Sequence, residues 1–291
     1  MAQLTEVELV IVTPMRNEAL NIANLSRNLV RLKMEFDLTW IVVDDSSIDN
    51  SVSILEDLTD GFPNILLNTK TSGRLIEGGA YEAWAIGVKY ALQNIPTFTH
   101  IMKLDADVCL DDNYFESLKN DMTVQDVGII GGVIVNGGRE QNIHVPGPVK
   151  IYSRAFLQTL SILPLKPGFD VLDEVLAERC NFQIVVSKKS RIILNRRIGN
   201  SQGMLHGRRR NGMVCKWTGY YPFYFFLHLI RYLFRKPFIF GAISMTWGYF
   251  TAPPSPFPSD LTLAHANLQK TKIKTLLKNP VKFIKNIYTL S

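Results

Sequence analysis

Residues 100–109 read His-Ile-Met-Lys-Leu-Asp-Ala-Asp-Val-Cys. The run is short, mostly apolar and closes on two carboxylates, which is the pattern of a buried strand. Because residues i and i+2 of a strand point to the same side, we expect Asp105 and Asp107, on either side of Ala106, to face one cation just past the strand end. Oxygen ligands favour Mg²⁺ or Mn²⁺ over Zn²⁺. A solvated turn would show the same Asp-x-Asp pattern, so the rest of the chain has to decide between the two interpretations.

A second predicted strand, residues 39–45, also ends in carboxylates, those of Asp44 and Asp45. Together with a first strand at 8–13, strands and helices alternate four times at the spacing of crossover connections. This pattern predicts an α/β fold with a mostly parallel sheet and helices on both faces. Ligands of such sheets bind beyond the carboxyl ends of the strands, where these acids would lie. The alternative is that the acids cap helices and form turns, which fits Asp44 poorly because it follows Ile-Val-Val without a break.

The net charge of +6 conceals an asymmetry along the chain. Residues 1–178 carry 25 acidic and 13 basic side chains, whereas residues 179–291 carry 19 basic side chains and a single acid, Asp260. This division predicts an acidic front half and a back half that meets an anion. The candidates are nucleic acid, a phosphorylated substrate or the cytoplasmic face of the cell membrane.

Beyond the front half, we predict a further apolar strand at 127–136 and a helix at 151–163. Two apolar, aromatic segments follow, at 220–231 and 237–252. Each is shorter than the roughly 20 residues that a transmembrane helix needs, and basic residues lie between them. We predict two helices that lie in the membrane interface, and an ordinary buried helical pair is the alternative.

These features predict three regions. Residues 1–200 would form the catalytic domain, 201–259 an aromatic and basic helical region at the membrane interface, and 260–291 a basic amphipathic tail on anionic lipid or in solvent. The N-terminus has no basic and apolar leader pattern. The three widely spaced cysteines are interpreted as reduced core thiols of an intracellular protein.

Several short motifs occur in a fixed order. They are Thr-Pro-x-x-Asn-Glu at 13–18, Val-Val-Asp-Asp at 42–45, Gly-Gly at 78–79 and Lys-Leu-Asp-Ala-Asp at 103–107. In this order they resemble the family 2 glycosyltransferases of the GT-A fold, and the likeness covers roughly residues 8–252. The stretch from Gly168, Gly-Phe-Asp-Val-Leu-Asp-Glu-Val, resembles the acidic motif on the acceptor side of that family. The Gly219-Tyr-Tyr-Pro-Phe-Tyr segment resembles the C-terminal extension of some bacterial and archaeal members.

The resemblance implies an enzyme that uses a nucleotide-sugar donor, UDP- or GDP-linked, with Mg²⁺ or Mn²⁺, and that inverts the anomeric carbon. Asp107 would bind the metal directly, Asp105 would lie near the ribose and the metal, and Asp173 would be the general base with Glu174 as the neighbouring candidate. The residues that the resemblance places at the donor are Thr13, Pro14, Arg16, Glu18, Asp44, Asp45, Gly78, Gly79, Asp105, Ala106 and Arg197.

The chain departs from the family pattern at two places. Met15-Arg16 stands where an aromatic residue often stacks on the base, and Asn195 stands where many relatives carry the histidine of His-x-Arg. The first departure leaves the identity of the base open. The second means that any help from that histidine to metal or phosphate is weaker or lost here.

We therefore expect a membrane-associated glycosyltransferase whose acceptor is lipid-linked or a polysaccharide. A nucleotidyltransferase would need a glycine-rich loop after the first strand, and Pro14-Met-Arg-Asn-Glu18 has no glycine. A nucleic-acid-binding protein would explain the basic runs but not the acids at strand ends, so we expect no nucleic-acid partner. A non-catalytic membrane scaffold of the same fold stays open as an alternative.

Overall fold

The structure is a computed structural model, and it describes residues 7–33, 37–57, 65–69, 79–136, 139–141, 144–161, 163–194, 203–234 and 236–278. The chain divides into two compact units. The first contains Met1–Ser161 and Ala177–Asn195, and the second contains Ile162–Leu176 and Arg196–Ser291. The predicted limits at residues 200 and 259 stay predictions.

The described residues form nine strands and ten α-helices. The strands are β1 (Glu8–Met15), β2 (Asp37–Asp45), β3 (Ile65–Thr69), β4 (His100–Lys103), β5 (Val108–Leu110), β6 (Val127–Asn136), β7 (Arg139–Gln141), β8 (Ile151–Ser153) and β9 (Gln183–Leu194). The helices are α1 (Ala19–Lys33), α2 (Ser51–Asp57), α3 (Gly79–Asn94), α4 (Glu116–Met122), α5 (Arg154–Leu160), α6 (Phe169–Arg179), α7 (Met204–Trp217), α8 (Pro222–Leu233), α9 (Phe238–Phe250) and α10 (Ser259–Lys278).

All nine strands form one sheet in the order β3-β2-β1-β4-β8-β6-β9-β5, with β7 paired to β6. The front half is parallel, as predicted, because β2 pairs with β1 and β3, and β1 pairs with β4, in parallel. The prediction of a mostly parallel sheet is wrong for the other half. There β8 is antiparallel to both β4 and β6, and β5 is antiparallel to β9, although β6 and β9 pair in parallel. The sheet is therefore mixed.

Helices cover both faces of the parallel half, as predicted. Alternate residues Leu9 and Ile11 of β1 belong to the core cluster that includes Ile22 and Leu25 of α1. On the opposite face α3 lies so close to the sheet that a Cβ at Gly87 would be 2.3 Å from Cγ1 of Val12. Because only glycine permits this distance, Gly87 sets how closely α3 packs on β1.

Two local predictions are corrected. The run at 100–109 is not one strand, since β4 ends at Lys103 and a turn separates it from β5. Residues 151–163, predicted as helical, begin with the short strand β8 before α5 starts at Arg154. Strand β8 pairs with β4 and β6, and these partners, distant in sequence, decide its conformation.

The second unit has its own helical core. The backbones of α7 and α9 approach closely at two glycines. A Cβ at Gly212 would be 1.8 Å from the carbonyl oxygen of Met245, and one at Gly248 would be 1.9 Å from that of Arg209. The ring of Phe225 in α8 stacks on Tyr249 in α9 with centroids 4.0 Å apart. Helix α10 is tied to the start of α8 by a hydrogen bond from Tyr221 N to Gln269 Oε1 of 2.8 Å.

The cysteines differ from the prediction of core thiols. Cys109 and Cys180 are exposed, and only Cys215 is buried. Burial raises the pKa of the Cys215 thiol to about 12, which keeps it protonated and unreactive at neutral pH.

Candidate active site

Asp105 and Asp107 lie in the turn between β4 and β5. The turn is closed by a hydrogen bond from Val108 N to the carbonyl oxygen of Asp105 of 3.3 Å, and Asp105 N donates to the carbonyl oxygen of Pro148 at 2.9 Å. Both side chains are half-buried, while Ala106 between them is buried. The turn and its anchor at Pro148 therefore set the positions of the two carboxylates, rather than the alternation of a strand.

Lys103, the last residue of β4, also belongs to the site, although it was not predicted from the sequence as a functional residue. Its side chain is only 7% exposed, and its ammonium forms an ion pair with Asp105 Oδ1. The Lys103 Nζ also donates to the carbonyl oxygen of Gly147 at 3.3 Å and lies 5.8 Å from the ring centroid of Tyr81. The signal was available, since a charged residue inside an apolar strand needs a partner when it is buried.

Asp44 and Asp45 end β2, the strand on the other side of β1. In register Asp44 lies beside Met15, while Lys103 lies beside Val12. Strands β2 and β4 both flank β1 in parallel, so their carboxyl ends lie on one edge of the sheet, about 10 Å apart. The sheet thus brings the two acid pairs to the same edge, as predicted.

The side chain of Asp44 also forms a turn, which the sequence analysis judged a poor fit. Asp44 Oδ2 accepts the backbone N–H of Ser47 at 3.1 Å, and Oδ1 accepts the Ser47 hydroxyl at 2.5 Å. The expectation that a turn-forming role fits Asp44 poorly is therefore wrong. Each carboxylate oxygen has a second lone pair, so the turn fixes the orientation of Asp44 without exhausting its capacity to accept hydrogen bonds. Asp45 is buried and pairs with Arg16, with 3.5 Å between Asp45 Oδ2 and Arg16 Nη1.

The loops that follow β1 and β2 are bonded to each other. Asn17 N donates to Ser47 Oγ at 2.9 Å, Ile48 N donates to Asn17 Oδ1 at 2.8 Å, and Glu18 N donates to Ser51 Oγ at 2.8 Å. Arg16, Glu18, Asp44 and Asp45 therefore belong to one hydrogen-bonded rim of the sheet edge.

Asp49 caps the adjoining helix across these loops. Its Oδ2 accepts the N–H of Ala19, the first residue of α1, at 3.1 Å, and its Oδ1 accepts from Ser51. Burial acts to raise the pKa of Asp49, but the hydrogen bonds from Ser51 and Ala19 outweigh it and hold the pKa below its usual value. The carboxylate at the N-terminus of α1 is also favoured by the helix dipole.

Thr13 and Pro14 lie at the end of β1. The Thr13 side chain is fully buried, and its hydroxyl accepts the indole N–H of Trp40 at 2.9 Å. The side chain thus joins β1 to β2, and only the backbone of Thr13 is left to meet a ligand. Pro14 is half-buried.

The remaining predicted donor residues are only partly described. Gly79 is the first residue of α3. Gly78 and Arg197, together with Asn195, lie outside the described residues.

The predicted general base and its neighbour lie in α6. Asp173 is fully buried and Glu174 is 8% exposed, and Asp173 Oδ1 accepts the backbone N–H of Glu174 at 2.6 Å. Helix α6 follows Gly168, whose φ of +97° and close approach to Thr218 both require glycine. Acids are rarely so buried unless they are paired or functional.

The carboxylates at the sheet edge are candidate ligands for a divalent cation. Within the described part of the chain, no group of three or more His, Cys, Asp or Glu side chains could hold a metal ion by itself. Asp105 and Asp107 are a pair of oxygen donors. This fits a cation such as Mg²⁺ or Mn²⁺ that takes one or two carboxylates and fills its other positions with water and substrate phosphate oxygens. The pair does not form a closed protein cage.

Solved structures share the fold at low sequence identity. The chain superposes on S. aureus TarS 1-349, solved with UDP-GlcNAc, with a TM-score of 0.52, 17% identity, and coverage of 72% of this chain and 66% of that one. The mannosyltransferase PcManGT from Pyrobaculum calidifontis, solved with GDP-Man and Mn²⁺, gives a TM-score of 0.52 and 17% identity over 98% of this chain and 84% of that one. GalNAc-T7, solved with UDP, GalNAc and Mn²⁺, gives a TM-score of 0.55 and 14% identity over 84% of this chain and 54% of that one. The fold is therefore that of the GT-A glycosyltransferases.

The family profile agrees with the fold. The sequence profile of glycosyl transferase family 2 matches residues 10–190, which is more than half of the chain. The chain belongs to this family and is a glycosyltransferase. The match ends within β9, so it includes most of the sheet and α6 but none of the helices that follow. No curated protein matches the chain in sequence.

Proposed function

We propose that the protein transfers a sugar from a UDP- or GDP-sugar to an acceptor hydroxyl, with inversion at the anomeric carbon and with Mg²⁺ or Mn²⁺. The observation that carries this proposal is the sheet edge, where the buried pair Asp44 and Asp45 and the turn that holds Asp105 and Asp107 flank the end of β1. The complexes of TarS with UDP-GlcNAc and of PcManGT with GDP-Man and Mn²⁺ support the class of donor and metal.

The donor residues have separate roles in this proposal. Asp44, oriented by Ser47, accepts an N–H of uracil or guanine, and a purine or pyrimidine that offers no such N–H beside its carbonyl binds less well. Asp105 and Asp107 would hold the cation. The bound cation supplies positive charge that offsets the charge developing on the nucleoside diphosphate as it leaves.

Asp173 is the proposed general base. The acceptor oxygen forms its bond to the anomeric carbon as the bond to the diphosphate breaks, and the hydroxyl proton passes to the Asp173 carboxylate. Glu174 is the alternative base. We place the acceptor, a lipid-linked or polysaccharide hydroxyl, at the cytoplasmic face of the cell membrane.

Ligand-dependent melting tests the donor class. UDP, GDP, CDP and ADP are each added with and without Mn²⁺, and a nucleotide that binds only the folded protein raises Tm by mass action. We expect one of UDP and GDP to raise Tm in a metal-dependent way, and Asp107→Asn to abolish the metal-dependent part. The matched control is Asp126→Asn, an exposed acid away from the sheet edge that should keep the shift. If no nucleotide changes Tm, the donor assignment is refuted.

Transfer assays test the catalytic roles. With the donor identified by melting, we expect Asp173→Asn to lower kcat by about 10²–10⁴-fold, as loss of a general base does, while the nucleotide-induced Tm shift is kept. If Glu174→Gln has this effect and Asp173→Asn does not, the base is Glu174. If neither variant affects cellular function, the scaffold alternative is favoured.

A further inference from the structure

Helix α8 exposes an apolar face on the surface of the second unit. Phe223, Phe226, Ile230 and Leu233 are 50%, 53%, 53% and 40% exposed. Their spacing of three, four and three residues places them on one side of the helix. A single exposed apolar residue needs no explanation, but a row along a whole helix does.

Helix α9 repeats this pattern with the same spacing. Phe240, Ile243, Trp247 and Phe250 are 71%, 59%, 59% and 70% exposed. We call these two rows together the apolar face.

The core of the unit does not account for the apolar face, because it uses the other sides of the same helices. Phe225 and Leu229 of α8 and Met245 and Tyr249 of α9 are buried and form a cluster with Cys215 of α7. Both helices are therefore apolar on two sides. A helix of this kind is stable only where its second side also meets apolar surroundings.

A groove runs between the two rows. It has a volume of about 550 Å³ and is lined by Phe226, Ile230 and Leu233 of α8 and by Ile239, Ile243 and Trp247 of α9, among others. Apart from the indole of Trp247, the polar side chain in the lining is that of Thr246, whose hydroxyl donates to the carbonyl oxygen of Ala242 at 2.9 Å within its own helix. The groove therefore offers a ligand mainly hydrocarbon and aromatic contacts.

Two basic residues lie close to α8 and α9. The Arg208 guanidinium lies 4.1 Å from the ring centroid of Tyr232 in α8, and it donates to the carbonyl oxygen of Lys236 at 3.3 Å. Lys236 is itself exposed between α8 and α9. From residue 179 to residue 259 the sequence has no acid to neutralise them. This charge complements anionic headgroups, and long basic side chains can reach such headgroups while their stems contact apolar surface.

The helices are too short to cross a bilayer. No helix in the described ranges is long and apolar enough to span a membrane. Helix α9, with 13 residues, is about 20 Å long, whereas the hydrocarbon core is about 30 Å thick. A short helix with this surface binds parallel to the membrane, with its apolar side at the boundary of headgroups and acyl chains.

We propose that the apolar face inserts into the headgroup–acyl boundary of an anionic bilayer and that the groove between α8 and α9 takes up a lipid acyl chain. This deepens the membrane location in the proposed function by naming the surface and its lipid partner, whereas donor binding does not depend on it. The two proposals can therefore fail separately.

Trp247 provides the test, because it lies in the groove and is 59% exposed, whereas Trp40 and Trp84 are buried. Trp217, which is half-buried, is replaced by Phe in the protein used for fluorescence. Full-length protein is mixed with vesicles of phosphatidylcholine alone or of phosphatidylcholine and phosphatidylglycerol in equal parts, and the lipids carry bromine on their acyl chains. We expect cosedimentation with the anionic vesicles and bromine quenching of the fluorescence. Trp247→Phe should remove most of the quenching but keep the cosedimentation.

Matched substitutions distinguish the contribution of the apolar face to vesicle binding from the general effect of an added negative charge. We expect Ile243→Asp to weaken vesicle binding by at least tenfold. Leu92→Asp, which adds the same charge at a 46% exposed position of α3, should not change it. Both sites are exposed, so both variants should fold, which circular dichroism checks.

Three results would overturn the inference. One is wild-type protein that shows a nucleotide-dependent Tm shift but does not cosediment. Another is cosedimentation in which Trp247 is not quenched or Leu92→Asp is as damaging as Ile243→Asp. The third is a dimer that Ile243→Asp dissociates without any vesicle binding, since the face would then be covered by a second copy of the chain.

Discussion

His100 at the start of β4 should make the first unit sensitive to acid. The side chain is 5% exposed, its Nδ1 lies 3.0 Å from Thr99 Oγ1, and burial lowers its pKa from 6.5 to about 4. Between these pKa values the unfolded chain binds a proton that the folded chain does not. Stability is therefore present above pH 6.5 and is lost as the pH falls from 6.5 towards 4.

The size of the effect follows from the two pKa values. Between pH 7.5 and pH 4.5 the linkage amounts to about 2.5 kcal/mol of unfolding free energy, which is a large fraction of the stability of a typical domain. His100→Gln cannot be protonated, so its free energy of unfolding should fall by about 2.5 kcal/mol less than that of the wild type over the same interval.

Urea unfolding at the two pH values measures this difference. In a background where Trp217 and Trp247 are replaced by Phe, the remaining fluorescence comes from Trp40 and Trp84, both buried in the first unit. The carboxylates that also titrate, such as Asp49, are common to both proteins and cancel. His144→Gln, at an exposed histidine, is the control. If the wild type and His100→Gln lose the same stability on acidification, the assignment of the acid sensitivity to His100 is refuted.

Three further substitutions test separate contacts. Thr13→Val leaves the buried indole N–H of Trp40 without its acceptor and should cost about 1–3 kcal/mol in urea unfolding, whereas Thr13→Ser keeps the hydroxyl and most of the stability; equal losses would contradict the role of the hydrogen bond. Gly248→Ala forces a Cβ against the Arg209 carbonyl and should destabilise the second unit by about 3 kcal/mol or more, seen as a lower Tm; an unchanged Tm would show that α7 and α9 can separate at no cost. Lys103→Met removes the ammonium that competes for Asp105, so Mn²⁺ alone should bind about tenfold more tightly by calorimetry, and weaker binding would show that Lys103 instead holds Asp105 in place for the metal.

Much of the framework could be predicted from local patterns. The apolar periods of α1 and β6 and the acids at the end of β2 depend on residues close in sequence, and β6 was predicted with its observed limits, 127–136. The parallel front half followed from the spacing of strands and helices. This spacing also places the acids of two strands at one edge, whatever the remainder of the chain does.

The rest of the sheet depends on partners far apart in sequence. Strand β8 is three residues long and joins β4 to β6, and β5 pairs with β9, whose partner residues lie more than 80 positions away. Strands this short carry no periodic signal of their own. Their direction is decided by which backbone groups are left to be paired when the sheet assembles.

At the candidate site the sequence by itself determined which acids exist and which strands carry them. Only the tertiary structure decided what each side chain at the site contacts. Asp44 accepts a hydrogen bond from Ser47, Asp105 pairs with the buried Lys103, and Thr13 accepts a hydrogen bond from Trp40. For α8 and α9 the sequence determined two apolar helices, and the structure decided which side of each is covered by protein. The physical reason is the same in both cases, because apolar pattern and charge are properties of the chain, whereas burial and pairing exist only between segments that folding brings together.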